Sequence, residues 1–143
     1  MILIDTNVLI YAHDLDAGLK HERARAIVRD LWETRLGVIS TQVLQEFYVV
    51  ATRKFEPPML RSEARELIAA YASWPVVRVD VELILDATAL EEREQLSFWD
   101  ALIVEAARRA GATRLVTEDL QAGRRIAGIM IENPFAAADL RPA

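Results

Sequence analysis

Short β-like runs alternate with longer amphipathic runs along this 143-residue chain, and this alternation constrains the fold more than any other feature. The runs of strand length, rich in aliphatic and β-branched residues, are 2–4, 37–40, 76–79, 114–116 and 129–131. Helical spacing of apolar residues predicts helices over 20–34, 41–54, 60–73, 81–95 and 98–110, with a short helical turn after Asp119. This order is typical of an α/β domain with a parallel sheet.

The bulk composition favours one globular domain. A chain of this length with 52% hydrophobic residues can bury one sizeable core, and no linker divides it. We therefore predict a single domain over residues 1–143, in which residues 133–143 form a loosely ordered tail. We expect no signal peptide, and no apolar stretch reaches the roughly 18 residues of a membrane span. The absence of cysteine excludes disulfides, thiolate chemistry and the usual zinc sites, and it fits a cytoplasmic protein.

Four carboxylates stand where apolar runs end or among the apolar residues of predicted helices: Asp5, Glu46, Asp100 and Asp119. A buried anion is costly without a cation or hydrogen-bond donor, and no Lys or Arg is spaced to neutralise all four. Two follow strands, at the edge of an open α/β sheet where ligands bind, and two lie on inward helix faces. One cleft could collect all four, and a hard divalent cation, Mg²⁺ or Mn²⁺, would neutralise them.

Each carboxylate taken alone also has a plainer interpretation. Asp5 could simply cap the helix that follows it, and Asp119 has the same option unless Thr117 is the cap. Glu46 could lie at the edge of its apolar stripe with its carboxylate in water. Asp100 is harder to explain in this way, because apolar residues follow it three, four and seven positions later on the same helix face.

The formal net charge of −5 at first argues against a protein that binds nucleic acid, since phosphate binding usually needs a basic face. However, the four carboxylates are among the 22 acidic residues that set this charge. A bound divalent cation would reverse the local sign. Composition thus disfavours non-specific DNA binding but is compatible with a protein that binds phosphate through a metal ion.

Four sequence blocks resemble those of the PIN-domain nucleases, and they occur in that family's order. The blocks are MILIDTNVL at 1–9, TQVLQEF at 41–47, FWDALIV at 98–104 and LVTEDL at 115–120. Together they cover essentially the whole chain. Their spacing and the short chain are similar to the VapC-type toxins of prokaryotic toxin–antitoxin pairs.

The resemblance implies a three-layer α/β/α fold with a central parallel sheet of about five strands and a Mg²⁺- or Mn²⁺-dependent endoribonuclease. The family's acidic metal-site positions correspond to Asp5, Glu46, Asp100 and Asp119. Its polar supporting positions correspond to Asn7 and Thr117. The expected chemistry is in-line attack of activated water on a phosphodiester, which leaves 5′-phosphate and 3′-hydroxyl ends. Asp5 and Asp100 are the expected direct ligands, and the other two would serve a second ion or orient the water.

The resemblance also implies partners. These are an RNA substrate, a small antitoxin that occludes the acidic cleft, and a second copy of the chain in a homodimer. We predict the dimer interface on helices 20–34 and 41–54, with Trp32, Phe47 and Tyr48.

Contacts with the RNA are less evident in the sequence. Arg124 and Arg125 follow Asp119 closely and could hold backbone phosphates, although solvated surface charge is the plainer interpretation. The three tryptophans are expected to pack in the core or at an interface rather than to stack on bases. His13 and His21 have no partner at a ligand spacing and are interpreted as ordinary surface or loop histidines.

Other functions fit the sequence less well. A haloacid-dehalogenase-like phosphatase needs a second Asp where Asn7 stands, and a receiver domain needs a lysine after a late strand, which residues 115–118 do not offer. The remaining alternative is a catalytically silent PIN-like module that binds RNA or protein without cleaving it.

Overall fold

A six-stranded sheet lies at the centre of the computed structural model, which describes residues 1–136. The strands are β1 (Ile2–Ile4), β2 (Gly37–Ser40), β3 (Val76–Val77), β4 (Arg114–Val116), β5 (Arg125–Ile126) and β6 (Ile129–Glu132). Their order is β3-β2-β1-β4-β6-β5, and only the β5–β6 pair is antiparallel. The chain runs from β1 outward to β3 and returns to the other side of β1 as β4. The β1–β4 boundary is therefore the topological switch point, where ligands bind in open α/β sheets.

The described residues also form six α-helices and a 3₁₀ turn at Leu15–Ala17. The helices are α1 (Thr6–His13), α2 (Leu19–Thr34), α3 (Thr41–Arg53), α4 (Arg61–Tyr71), α5 (Val81–Glu94) and α6 (Phe98–Arg109). α1 packs against α2 and α3, and α3 packs against α4, whereas α5 pairs with α6. These helices enclose the sheet in the three-layer α/β/α arrangement that was predicted.

Two predicted details of the secondary structure are wrong. β5 was not predicted, because Arg125 and Ile126 form no run of apolar residues, unlike the equally short β3. The helical turn predicted after Asp119 does not form, and residues 118–120 are bends. The Thr117 hydroxyl accepts a hydrogen bond from the Asp119 amide at 3.1 Å, and such local bonds compete with helix formation.

The core lies on both faces of the sheet. All three residues of β1 are buried, as expected for a central parallel strand covered by helices on both sides. Phe47 on α3 is fully buried in this core. The prediction that Phe47 contributes to a dimer interface is therefore wrong, because its ring is already covered within one chain.

An aromatic cluster joins α1, α2 and α4. The rings of Trp32, Tyr71 and Trp74 pack on one another with centroids 5.1–5.5 Å apart. His13 Nε2 lies 2.7 Å from the Tyr71 hydroxyl, and burial lowers the pKa of His13 to about 4, with a smaller contribution from the charge of His21. His13 is thus a packed residue, which corrects its interpretation as an ordinary surface histidine.

The first residues of the predicted tail are held against the body of the protein. Phe135 is buried, with its ring edge-on to Tyr11 at 5.1 Å. The rest of that predicted tail, 137–143, lies outside the described residues. Within residues 1–136, no helix combines the length and the apolar character needed to cross a membrane.

Candidate active site

Asp5 and Thr117 join the ends of the two strands at the switch point. Asp5 directly follows β1 and is the N-cap of α1, where its Oδ1 accepts a hydrogen bond from the Thr6 amide at 2.7 Å. Its Oδ2 accepts a second bond from the Thr117 hydroxyl, also at 2.7 Å. Both residues are buried. Asp5 therefore caps a helix, as the plainer interpretation held, and still presents its carboxylate beside the end of β4.

Asn7 and Asp119 extend this network toward solvent. The Asn7 side-chain amide donates to Asp119 Oδ2 at 3.1 Å and lies 3.4 Å from the Thr117 hydroxyl. The Thr117 hydroxyl thus donates to Asp5 and accepts from Asn7 and from the Asp119 amide. Because a hydroxyl has one donor and two acceptor positions, these bonds use all of them and fix its orientation.

Asp100 and Glu46 reach the same region from two helices. Asp100 lies in the first turn of α6, where its backbone amide donates to the Ser97 hydroxyl at 3.1 Å, and it is half-buried. Glu46 lies on α3, and its Oε1 accepts a bond from Gln42 Nε2 at 2.9 Å. Four separate segments of the chain therefore supply the four carboxylates.

One cleft of about 530 Å³ brings the predicted carboxylates together. We call it the acidic cleft, and its lining residues are Asp5, Gln42, Gln45, Glu46, Trp99, Asp100 and Asp119. Only Asp5 is buried, whereas Glu46 and Asp119 are exposed. Asp119 follows β4 as expected, whereas the inward position predicted for Glu46 is wrong, and its carboxylate lies at the open rim as in the plainer interpretation.

The negative charge of the acidic cleft is not compensated by basic side chains. Among residues 1–136, no Lys, Arg or His forms a salt bridge with any of the four carboxylates. Burial raises the pKa of Asp5 to about 6, and the charges of Asp119 and Glu46 add to this rise against the lowering effect of its hydrogen bonds. Burial also raises the pKa of Asp100, with a smaller rise from Asp119. Such a site favours a bound cation.

The donor atoms of the acidic cleft fit Mg²⁺ or Mn²⁺. All are carboxylate or amide oxygens, which hard cations prefer. Gln42 Oε1 is buried without a hydrogen-bond partner, which leaves a free acceptor at this site. In the described part of the chain, no three acidic or histidine side chains stand close enough to hold one ion together. The residues therefore fit an ion that keeps several waters and takes one or two carboxylates, as Mg²⁺ commonly does.

Sequence reasoning did not identify three residues of the acidic cleft: Gln42, Gln45 and Trp99. Gln42 stands four positions before Glu46 on one face of α3, so helical periodicity could have identified it. Trp99 precedes Asp100 directly but was expected to pack in the core or at an interface. Trp99 is 64% exposed, so core packing is wrong for it, while packing at an interface stays a prediction.

The predicted RNA-binding arginines lie elsewhere. Arg124 Nη2 is 3.4 Å from Glu94 Oε2, and the Arg125 guanidinium is 3.4 Å from the Gly128 carbonyl oxygen. Neither lines the acidic cleft. Their role in holding an RNA backbone stays a prediction.

Comparisons with known proteins agree with this fold. The family model of the PIN domain matches residues 2–128. A toxin–antitoxin complex from Klebsiella pneumoniae has a similar fold, with a TM-score of 0.69 and 21% identity over 94% of this chain and 98% of the other. VapC20 of Mycobacterium tuberculosis, a sarcin–ricin-loop-cleaving toxin, matches with a TM-score of 0.60 and 20% identity over 80% and 87%.

A third structure, DNA-bound VapBC from Salmonella typhimurium, matches with a TM-score of 0.61 and 19% identity over 92% of this chain and 96% of the other. A search of curated protein sequences found no match. At these identities, the structural likenesses establish the fold.

Proposed function

Since the chain belongs to the PIN domain family, we propose that it is a Mg²⁺- or Mn²⁺-dependent endoribonuclease. The observation that carries this proposal is the meeting of four carboxylates in one cleft at the β1–β4 switch point. Among the described residues, none of them has a salt-bridge partner. A cluster of this kind is suited to holding a cation that in turn binds a phosphate.

Asp5 and Asp100 are the proposed direct ligands. They are the two least exposed members of the cluster, and burial raises the pKa of both carboxyl groups. A cation relieves the cost of keeping such groups charged. When bound, Mg²⁺ or Mn²⁺ would stabilise the charge that develops on the phosphate and make a water molecule more acidic.

The remaining side chains have positioning roles in this proposal. Thr117 holds Asp5 Oδ2, and Asn7 holds Asp119 Oδ2, so both carboxylates keep a fixed orientation. Glu46 and Asp119 lie at the open rim, where their oxygens could accept hydrogen bonds from an attacking water or serve a second ion. In-line attack by water then leaves 5′-phosphate and 3′-hydroxyl ends.

We also propose that the protein is the toxin of a toxin–antitoxin pair and works in the cytoplasm. Support comes from the shared fold of a known toxin and of toxin–antitoxin complexes. The unpaired carboxylates offer a small antitoxin a place for a basic side chain, which would block the cation and the RNA together. A homodimer is part of the same proposal. If a short reading frame directly upstream encodes an antitoxin, its co-expression should relieve the growth arrest that this chain causes.

Metal-dependent cleavage separates the nuclease from a silent binding module. The metal-free protein is incubated with structured RNA, then with added Mn²⁺, and then with Mn²⁺ and excess EDTA. A nuclease gives products with 5′-phosphate ends only in the Mn²⁺ sample. A binding module would shift the RNA in a gel in every sample and give no EDTA-sensitive product, and that result would overturn the proposal.

A further inference from the structure

Trp99 occupies an unusual position for a large aromatic side chain. It lies in the first turn of α6, directly before Asp100, and the residue is 64% exposed. It lines the acidic cleft together with Asp5, Asp100 and Asp119. The other two tryptophans, Trp32 and Trp74, pack into the aromatic cluster of α1, α2 and α4. The fold therefore does not need Trp99 for its core.

The indole of Trp99 is nevertheless held in place. The Phe98 ring lies edge-on to it, with centroids 5.2 Å apart and planes at 73°. Phe98 itself packs against the hydrophobic core, and the Ser97 hydroxyl caps the helix at this turn. A braced aromatic ring loses little conformational entropy when a ligand lies against it, so its exposed face is suited to binding.

Trp99 is the one aromatic side chain among the lining residues of the acidic cleft, and none of the others is aliphatic. The other lining side chains are four carboxylates and the amides of Gln42 and Gln45. Carboxylates without a cation repel a phosphodiester, so they add no affinity for the nucleotide itself. Aromatic rings bind nucleobases by stacking, with little dependence on which base is present. Trp99 is the lining residue that can bind a base while the neighbouring carboxylates face the phosphate.

We propose that Trp99 is the stacking platform for the base beside the scissile phosphate. This proposal rests on the proposed function for the identity of the ligand as RNA. A base within a continuous duplex is already stacked and paired, so it cannot lie on the indole without leaving the helix. The protein should therefore prefer single strands and loops to uninterrupted duplex.

Equilibrium binding of RNA tests the platform. Short single-stranded RNA and the same sequence in a duplex are titrated in Ca²⁺, which shares the preference for oxygen ligands, so that affinity is measured apart from Mn²⁺-dependent cleavage. Trp99→Ala should weaken single-strand binding by roughly 5- to 150-fold, while Trp99→Tyr and Trp99→Phe keep most of the affinity. Leu60→Ala is the matched control, since Leu60 is also 64% exposed and lies outside the acidic cleft.

The outcomes separate this proposal from the nuclease. The stacking proposal would be overturned if Trp99→Ala bound single-stranded RNA within twofold of the wild-type affinity. It would also be overturned if the variant lost equal affinity for single strand and duplex, or if only its oligomeric state changed. If the wild type gives no Mn²⁺-dependent product while Trp99→Ala still weakens single-strand binding, the nuclease proposal fails and the stacking platform stands. Quenching of 2-aminopurine in the RNA by the wild type, but not by Trp99→Ala, would confirm direct contact.

Discussion

At the scale of single residues, the geometry of the proposed centre depends most on Thr117. Its side chain is fully buried, and its hydroxyl bonds Asp5, Asn7 and the Asp119 amide. It therefore connects the most buried carboxylate of the cleft to one at the rim. Removal of this hydroxyl would free Asp5 Oδ2 and leave the Asp119 amide without its partner.

Thr117→Val should lower RNA cleavage by roughly 10- to 100-fold, as expected for a residue that orients metal ligands. It should also lower the free energy of unfolding by about 1–3 kcal/mol, because buried polar groups lose their partner without a change in shape. Thr117→Ser keeps the hydroxyl and should retain most of the activity. Steady-state cleavage rates and urea unfolding measure the two effects. Wild-type activity in Thr117→Val would show that the hydroxyl does not position the centre.

The residue scale also shows what the sequence can and cannot reveal about the site. Asp5 and Asp119 could be placed because they follow recognisable strands, and parallel strands end at one edge of the sheet. Exposure was harder to predict, since it depends on neighbours that are distant in sequence. For this reason the core was among the environments predicted for Trp99, and Glu46 was predicted on an inward helix face, although both residues are exposed.

At the scale of secondary structure elements, β2 packs closely against the aromatic cluster at Gly37. A Cβ atom at Gly37 would lie 2.6 Å from Cζ3 of the Trp74 indole, which is closer than any ordinary contact. β2 leads directly to Ser40, the N-cap of α3, and α3 carries Glu46. The packing of Gly37 therefore helps to determine where this helix, and with it one carboxylate, lies.

Gly37→Ala should destabilise the protein by about 1–3 kcal/mol, because the added methyl group overpacks the Trp74 ring. A double-mutant cycle with Trp74→Ala tests the cause. In the Trp74→Ala background the indole is gone, so the additional Gly37→Ala change should cost little. An equal cost in both backgrounds, measured by urea unfolding, would mean that the clash with Trp74 is not the reason.

Elements were predicted well where periodicity is long, and poorly where single side chains decide. Helices such as α5 and α6 began and ended within a residue of their predicted bounds, because an apolar stripe over three turns is a strong signal. The helical turn predicted after β4 is wrong, because the Asp119 amide donates a local hydrogen bond to the Thr117 hydroxyl instead of joining a helix.

At the scale of the whole molecule, His13 makes stability depend on pH. Its pKa is lowered to about 4 in the folded state, mainly by burial, while the unfolded chain titrates near 6.5. The unfolded chain therefore binds this proton first, so stability is complete above about pH 6.5 and falls as the pH decreases toward 4. The raised pKa of Asp5 acts with the opposite sign, because the folded state binds that proton more readily.

Comparison of the wild type with His13→Gln isolates the histidine contribution. Between pH 6.5 and 4, the wild type should lose up to about 3 kcal/mol more stability than the variant. Urea unfolding at a series of pH values measures the two slopes, whatever the absolute stability of the variant. Parallel curves would show that His13 is not the titrating group.

The charge of the whole molecule agrees with the proposed centre. A protein with a formal net charge of −5 and an unpaired acidic cleft should bind RNA poorly until a divalent cation is present. Metal dependence and the carboxylate cluster are thus two parts of one claim.

The most direct test is Mn²⁺-dependent RNA cleavage by four single amide variants, Asp5→Asn, Glu46→Gln, Asp100→Asn and Asp119→Asn. We predict that each variant loses at least ~100-fold in cleavage rate with little change in melting temperature. Substitution of residues that only support metal ligands can already reduce activity by that factor. Asp30→Asn and Glu92→Gln, exposed carboxylates outside the acidic cleft, should cleave like the wild type. Full metal-dependent cleavage by Asp5→Asn would contradict the account.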